Sequence, residues 1–309
     1  MRKIVSLARV LAAAMLALIP VMPGTATGEV FDAVRRTAVI SAFGPEWKAL
    51  QTALRDRRDY VANGVTFATG TIDGRPVVLF LSGISMVNAA MTTQLVLDRF
   101  AIDEIVFSGI AGGVNPDLSI GDVIVPDRWS EYLEAVFARE GTDGAYKLPG
   151  FAERQSAKNF GMMFPQPVQI ANGGSDPEKR TWFQVDARFL AIAKVTAGAV
   201  TLKDCTAESK CLTHKPKIVV GGQGVSGQAF VDNKKFREYV RNTFNADVLD
   251  MESAAVAHVA YANKVPFIAF RSLSDLAGGE EHENEIETFA QLASDNSASV
   301  VKEFLKALR

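Results

Sequence analysis

At residues 104–113 the chain reads Glu104-Ile105-Val106-Phe107-Ser108-Gly109-Ile110-Ala111-Gly112-Gly113, and this stretch decides the fold. The apolar run at its start is typical of a buried strand, and the serine and glycines that follow predict a turn at the strand's end. Residues 88–100, just before it, show the apolar spacing of an amphipathic helix. A strand is predicted at 76–81 before that helix, and strand, helix and strand in succession favour parallel pairing.

Toward the N-terminus the same kind of pattern continues. Residues 37–42 form a short run of β-branched and small residues that predicts a strand, and Pro45 opens a helical pattern that reaches Leu54. Two apolar runs, 66–72 and 76–81, are joined by Asp73-Gly74, which is a strong hairpin signal. We therefore expect an antiparallel pair of strands here.

Toward the C-terminus, a strand is predicted at 122–126, and residues 131–216 are weakly periodic and contain one helix, centred on 185–197. The alternation of strands and helices then resumes. It predicts strands at 217–220, 247–249 and 265–270 and helices at 253–263 and 286–308. Together these elements predict a three-layer α/β/α fold with a central mixed, mostly parallel twisted sheet, formed by a single domain at 29–309 with an excursion at about 130–216.

The composition is that of a globular protein. The chain has 309 residues, of which 48% are hydrophobic and 22% charged, and its formal net charge is -2. No stretch is dense in lysine and arginine, which argues against binding of nucleic acid or of an anionic membrane surface. A small-molecule partner is therefore favoured.

The first 28 residues resemble a targeting segment. Arg2, Lys3 and Arg9 make a basic start, residues 10–21 are apolar, and residues 24–28 are small. The alternative is an uncleaved membrane anchor, but an apolar stretch of about 12 residues is shorter than the ~20 that span a bilayer. We expect a signal peptide at 1–28 that is cleaved, and a periplasmic or secreted protein without stable membrane association.

The chain contains two cysteines, Cys205 and Cys211, in a polar stretch. In an oxidising compartment they would close a small loop. The alternatives are two unrelated thiols or half of a metal site, and His214 as the only nearby imidazole makes a poor zinc site. We expect no metal and no organic cofactor.

Polar residues follow nearly every predicted strand. In α/β sheets, ligands bind beyond the carboxyl ends of the strands, so these residues are candidates for a common site. Glycines at such turns allow backbone amides to approach a ligand closely. The candidates are Glu46, Ser82-Gly83, Ser108-Gly109, Gly112-Gly113, Gly227-Gln228-Ala229-Phe230, Asp250-Met251-Glu252 and Arg271-Ser272-Leu273-Ser274-Asp275.

Six short motifs in order together resemble the purine nucleoside phosphorylase and nucleosidase family, and most of all its 5′-methylthioadenosine/S-adenosylhomocysteine nucleosidases. The resemblance extends from about residue 37 to the C-terminus, apart from the excursion. The motifs are Ala42-Phe43-Gly44-Pro45-Glu46, Ser82 to Ala90, Ser108 to Gly113, Val225 to Phe230, Asp250 to Ala255, and Arg271 to Ala277.

The resemblance implies a role for each matched residue. Asp275 would be the acid that protonates or hydrogen-bonds N7 of a purine, and Glu46 the base that activates water on the far side of the sugar. Ser274 and Ala277 would lie beside the acid, and Ser82 near Glu46. Glu252 and Met251 would contact the ribose, and Phe230 and Val231 the purine. Gly112 would belong to the glycine turn, and we expect Arg271 to orient a neighbouring carboxylate.

The sequence leaves the nucleophile open. Phosphorolysis needs cationic groups around phosphate, and in the similar phosphorylases an arginine commonly precedes the glycine turn, where this chain has Glu104-Ile105-Val106-Phe107. Water is therefore favoured, and we expect hydrolysis of an adenine-type nucleoside. Phosphorolysis and non-catalytic nucleoside binding or storage are the alternatives.

Three features depart from the family's pattern. Gln228 stands where an acidic residue is frequent, and Gly44-Pro45 replaces a more acidic run before Glu46. The export signal is unexpected, because methylthioadenosine and S-adenosylhomocysteine arise in the cytosol. The resemblance also implies a homodimer or a larger homo-oligomer.

Overall fold

The structure is a computed structural model and describes residues 30–152, 154–172 and 175–308. The predicted signal peptide, residues 1–28, lies outside these ranges. Within them, no helix is both long enough and apolar enough to cross a membrane.

The described residues form a central sheet of twelve strands, with three small two-stranded sheets beside it. The twelve strands are β1 (Asp32–Ser41), β2 (Arg55–Ala62), β3 (Val65–Ile72), β4 (Arg75–Leu81), β5 (Phe100–Gly113), β6 (Val123–Val125), β7 (Arg128–Glu131), β14 (Phe183–Gln184), β15 (Ile218–Val220), β16 (Gln223–Ser226), β17 (Val248–Asp250) and β18 (Phe267–Asp275). The small sheets pair β8 (Ala135–Phe137) with β11 (Met163–Pro165), β9 (Arg139–Glu140) with β10 (Tyr146–Lys147), and β12 (Val168–Asn172) with β13 (Ser175–Arg180).

Parallel and antiparallel pairings both occur in the central sheet. Six of its pairings are parallel and five are antiparallel. β5 is central because it lies between β1 and β18 along its first part, and its last residues, Gly112 and Gly113, pair with β17. The mixed sheet confirms the predicted fold class.

Helices cover both faces of this sheet. They are α1 (Gly44–Gln51), α2 (Met86–Arg99), α3 (Ala187–Thr196), α4 (Lys234–Phe244), α5 (Ser253–Ala262) and α6 (Ile286–Ala307), with a 3-10 turn at Ala197–Ala199. α2 packs on α5, whereas α6 packs on α1, α3 and β18. The three predicted layers are thus α2 and α5, the sheet, and α1, α3 and α6.

The hairpin of β3 and β4 forms as its turn sequence predicts. Asp73 and Gly74 have φ values of 49° and 79°, which a two-residue hairpin loop requires and which aspartate and glycine adopt readily. β3 and β4 pair antiparallel from Ala68 opposite Leu79 to Ile72 opposite Arg75.

The predicted excursion includes part of the central sheet. Phe183 pairs with Trp129 and is fully buried, so β14 extends the edge of the main sheet from within the stretch that we expected to lie outside it. The helix expected at 185–197 is α3. Cys205 and Cys211 are joined in a disulfide, which confirms that they close a small loop.

Candidate active site

A cavity of about 390 Å³ lies where β1, β5, β16, β17 and β18 end. Its lining combines apolar walls with four buried carboxylates, which is the make-up of a pocket that binds a small molecule and acts on it. The lining residues are Ala42, Phe43, Glu46, Ile84, Ile110, Ala111, Gly112, Ala229, Phe230, Val231, Leu249, Asp250, Met251, Glu252, Ser274, Asp275 and Ile286.

Glu46 enters the cavity from the first turn of α1. Its Oε2 accepts a hydrogen bond of 2.5 Å from the amide of Ala42, and its Oε1 accepts one of 2.8 Å from the amide of Ile110. Burial raises the pKa of its carboxyl, and the positive charge of Arg271 opposes that rise. Glu46 is thus a fixed carboxylate that can take up a proton.

Asp275 is the last residue of β18 and is 2% exposed. Its Oδ1 accepts from the amide of Ala277 at 2.9 Å, and its Oδ2 accepts from the hydroxyl of Ser274 at 2.9 Å. Burial raises the pKa of this carboxyl, against the effect of both hydrogen bonds. A buried carboxyl of this kind can hold a proton and donate it to a bound ligand.

Glu252 stands just before α5, and its Oε1 accepts a hydrogen bond of 2.8 Å from the amide of Ser85. This bond connects the end of β17 to the residues before α2. Burial, together with the charge of Asp250, raises the pKa of Glu252 to about 7. Its charge therefore changes near neutral pH.

Arg271 is fully buried behind the cavity wall, where it faces three carboxylates. Its Nε lies 2.7 Å from Oδ2 of Asp250, Nη1 lies 3.8 Å from Oε1 of Glu46, and Nη2 lies 3.8 Å from Oε2 of Glu252. The centre of its guanidinium lies 4.0 Å from the centroid of the Phe107 ring. The expectation that Arg271 orients a carboxylate agrees with this position.

Eight of the eleven residues predicted for the site line this cavity. They are Glu46, Gly112, Phe230, Val231, Met251, Glu252, Ser274 and Asp275. Arg271 and Ala277 are fully buried behind the lining. Ser82 is the exception, because it lines a neighbouring cavity with Trp47 and Met91, and its hydroxyl donates to the carbonyl oxygen of Gly83.

Sequence reasoning assigned no role to several residues of the site. Ile84 and Ile286 belong to its apolar wall, and the amide of Ile110 holds Glu46. Asp250 belongs to one of the six motifs but had no predicted role, although its place after a predicted strand is a usable signal. Gln228 lines a second neighbouring cavity with Glu131 and His258, so it does not contact the main one.

The lining of the cavity carries no cationic side chain. None of the described residues that line it is lysine, arginine or histidine. Likewise, no group of three histidine, cysteine, aspartate or glutamate residues in the described part of the chain is arranged to hold a metal ion.

Comparison with known proteins shows similarity over nearly the whole chain. Residues 36–306 match the Phosphorylase superfamily. A 5′-methylthioadenosine/S-adenosylhomocysteine nucleosidase of Geobacillus thermodenitrificans (strain NG80-2) is 30% identical over 275 residues, which are 89% of this chain and 98% of that protein.

Solved structures show the same similarity. A 5′-methylthioadenosine/S-adenosylhomocysteine nucleosidase from Colwellia psychrerythraea 34H, in complex with adenine, is 26% identical with a TM-score of 0.67, covering 90% of this chain and 97% of that one. Futalosine hydrolase of Helicobacter pylori strain 26695 has the same TM-score at 22% identity, over 89% of this chain and 99% of that one, which shows a common fold.

Proposed function

We propose that this chain, which belongs to the phosphorylase superfamily, is an N-glycosidic hydrolase of adenine-type nucleosides such as 5′-methylthioadenosine or S-adenosylhomocysteine. The observation that carries the proposal is the cavity itself. It places a protonatable Asp275 and a buried Glu46 in one apolar-walled space of about 390 Å³. Relatives named for this reaction match nearly the full chain.

Asp275 is the proposed general acid. Cleavage of the N-glycosidic bond leaves negative charge on the departing base, so a proton delivered to N7 stabilises the transition state. The raised pKa of Asp275 keeps that proton available at higher pH than an exposed aspartate would. Ser274 and the amide of Ala277 fix the orientation of the carboxyl.

Glu46 is the proposed base for water. Hydrolysis requires removal of a proton from the water that attacks the anomeric carbon, and the sugar carries positive charge at that moment. Amides of Ala42 and Ile110 hold the two carboxylate oxygens, and Arg271 stabilises the charged form. Glu252 would accept hydrogen bonds from the sugar hydroxyls, with Met251 beside it in the lining.

Water is proposed as the nucleophile because the described lining of the cavity contains no cationic side chain. Inorganic phosphate carries at least one negative charge at neutral pH, and desolvating it beside Glu46 and Glu252 without a cation would be costly. Arg271 does not supply that cation, since its terminal nitrogens face Glu46 and Glu252.

The test is release of free base from adenosine, inosine, methylthioadenosine and S-adenosylhomocysteine, with and without phosphate. Wild type should release base without phosphate, and Asp275→Asn should lower kcat by about 10²–10⁴-fold. Asp98→Asn makes the same change on the surface of α2 and should leave the rate unchanged. Ribose 1-phosphate formation would favour a phosphorylase, and tight binding without cleavage would favour a binding protein.

We also propose that the protein is exported and that residues 1–28 are removed. The Cys205–Cys211 disulfide supports this, since such bonds persist in oxidising compartments. N-terminal sequencing of the protein recovered from cell fractions tests it. A chain that retains its first residues in the cytosolic fraction would refute export.

A further inference from the structure

The two carboxylate oxygens of Asp250 make different kinds of contact. Its Oδ1 accepts from the hydroxyl of Ser226 at 2.5 Å and from the amides of Glu252 and Ser253 at 3.2 and 3.1 Å. These bonds anchor the start of α5. Its Oδ2 is buried, has no hydrogen-bond donor in the described structure, and lies 2.7 Å from Nε of Arg271.

Arg271 is held most closely on its Nε side, and its terminal nitrogens approach the cavity carboxylates. Nη1 also donates a long hydrogen bond of 3.5 Å to the carbonyl oxygen of Ile110. Nε donates to the hydroxyl of Ser253 at 2.9 Å and faces Asp250, and the guanidinium lies over the ring of Phe107. The terminal nitrogens Nη1 and Nη2 point to the two cavity carboxylates at equal distances of 3.8 Å. A distance of 3.8 Å is too long for a direct hydrogen bond, so these carboxylates do not fix the guanidinium.

We propose that Asp250 is a positioning residue, which holds the Nε side of Arg271 so that the guanidinium shares its charge between Glu46 and Glu252. This inference rests on the proposed function, because the reaction supplies its readout. With the guanidinium held in place, neither Glu46 nor Glu252 can form a close ion pair with it. Such a pair would weaken the interaction of Arg271 with the other carboxylate. Asp250 acts through Arg271 and need not touch the substrate.

The charges around Asp250 predict what its removal does. The groups that face it are Arg271 on β18, Glu252 before α5 and Tyr132 after β7, while Glu46 on α1 acts on Glu252. The negative charge of Asp250 raises the pKa of Glu252, and the positive charge of Arg271 lowers it. Without the carboxylate, Glu252 loses a repulsive neighbour and Arg271 is free to approach it. Both changes lower the pKa of Glu252.

Asp250→Asn is the informative variant because asparagine keeps the shape and an acceptor oxygen for Ser226 and the α5 amides. Ser226→Ala is its matched control. It removes the hydrogen bond that the Ser226 hydroxyl donates to Oδ1 and the one that it accepts from the amide of Ala254, and it leaves Oδ2 beside Arg271. A purely structural role would therefore give both variants the same phenotype, namely a lower melting temperature.

The experiment measures kcat, KM and melting temperature of wild type, Asp250→Asn and Ser226→Ala with methylthioadenosine, between about pH 5 and 9. The acid limb is the part of the pH profile where kcat/KM falls as the pH is lowered. In Asp250→Asn we expect this limb to move to lower pH by about one unit, because Glu252 loses a neighbouring negative charge. We also expect kcat on the plateau to fall by about tenfold or more, because the arginine is no longer fixed. Ser226→Ala should keep the wild-type limb.

An acid limb in Asp250→Asn that coincides with those of wild type and Ser226→Ala would overturn the inference. Should Asp250→Asn fail to fold, Asp250→Ser supplies a hydroxyl oxygen that can accept from the amides at the start of α5, and it carries the same expectation. Absence of base release by wild type refutes the proposed function instead, so the two failures are distinct.

Discussion

At the scale of single residues, the site is defined by an excess of buried carboxylates over cations. Glu46, Asp250 and Glu252 surround one arginine, and all four side chains are almost completely buried. If all three carboxyls were ionised, the cluster would carry an uncompensated charge in a medium of low dielectric constant. A carboxyl that keeps its proton avoids this cost. The pKa values of Glu46 and Glu252 are raised for that reason.

The raised pKa of Glu252 predicts the pH dependence of the reaction. The pKa of Glu252 is raised to about 7, so the group is protonated below that pH and can no longer accept from both sugar hydroxyls. We expect kcat/KM for methylthioadenosine to fall as the pH is lowered through about 7. In Glu252→Gln this part of the profile should flatten and KM should rise.

The measurement is a pH profile of kcat/KM for wild type and Glu252→Gln, with Glu303→Gln, a partly exposed position near the end of α6, as the control. Glu303→Gln should reproduce the wild-type profile. An unchanged acid limb in Glu252→Gln would assign that limb to another group, and Glu46 would be the first to examine because its pKa is also raised.

At the scale of elements, β5 brings the site together because it carries a glycine where a side chain cannot fit. A Cβ on Gly109 would lie 1.8 Å from Nη1 of Arg271 and 2.6 Å from Oε1 of Glu46. The glycine therefore makes room for both charged groups. The sequence predicted a turn at this glycine, which was wrong, because β5 continues through it to Gly113.

Gly109→Ala should consequently displace Arg271 and Glu46. Because a displacement of a positioned group by about 1 Å can cost about 10²-fold in rate, we expect kcat to fall by about that factor. We also expect a lower melting temperature. Gly198→Ala is the control, since a Cβ there meets nothing within 4 Å. Base release and melting temperature of both variants provide the test, and a Gly109→Ala enzyme with wild-type kcat would contradict the assigned geometry.

The elements that sequence reasoning missed have identifiable reasons. β2 begins Arg55-Asp56-Arg57-Arg58 and is mostly exposed at the sheet edge, so it lacks the apolar alternation that indicates a strand. β16 is four residues long and includes Gly224, which lies against the ring of Trp129. α4 begins with two lysines after Asn233, whose side chain caps it, and its apolar positions were not recognised as a helix face.

The convergence of the predicted site residues in one cavity has a related physical reason. Residues that follow buried strands were placed by the topology alone, so Glu46, Glu252 and Asp275 converge as expected. Ser82 also follows a strand, but its hydroxyl turns to the carbonyl oxygen of Gly83 and it lines the neighbouring cavity. The direction of a side chain depends on local hydrogen bonds, which strand positions do not predict.

At the scale of the whole molecule, several large apolar side chains near the cavity mouth are exposed. Ile84 and Phe230 line the cavity and are 50% and 54% exposed, while Val87 and Met91, four residues apart on α2, are 64% and 49% exposed. Side chains four residues apart lie on the same helix face. Exposed apolar groups gathered beside a binding cavity indicate a surface that another molecule covers.

We propose that a second copy of the chain covers this surface, in keeping with the homo-oligomer that the sequence predicts. The wild-type protein should then be a dimer or larger by light scattering at micromolar concentration, whereas Val87→Asp should be shifted toward monomer, because a charge at a closing apolar interface is costly. Val195→Asp, at an 81% exposed position on α3, is the matched control and should leave the assembly intact. Because Ile84 belongs both to this surface and to the cavity lining, dissociation should also raise KM for methylthioadenosine. A wild-type monomer with full activity would show that the cavity is complete in one chain and that these side chains have another partner.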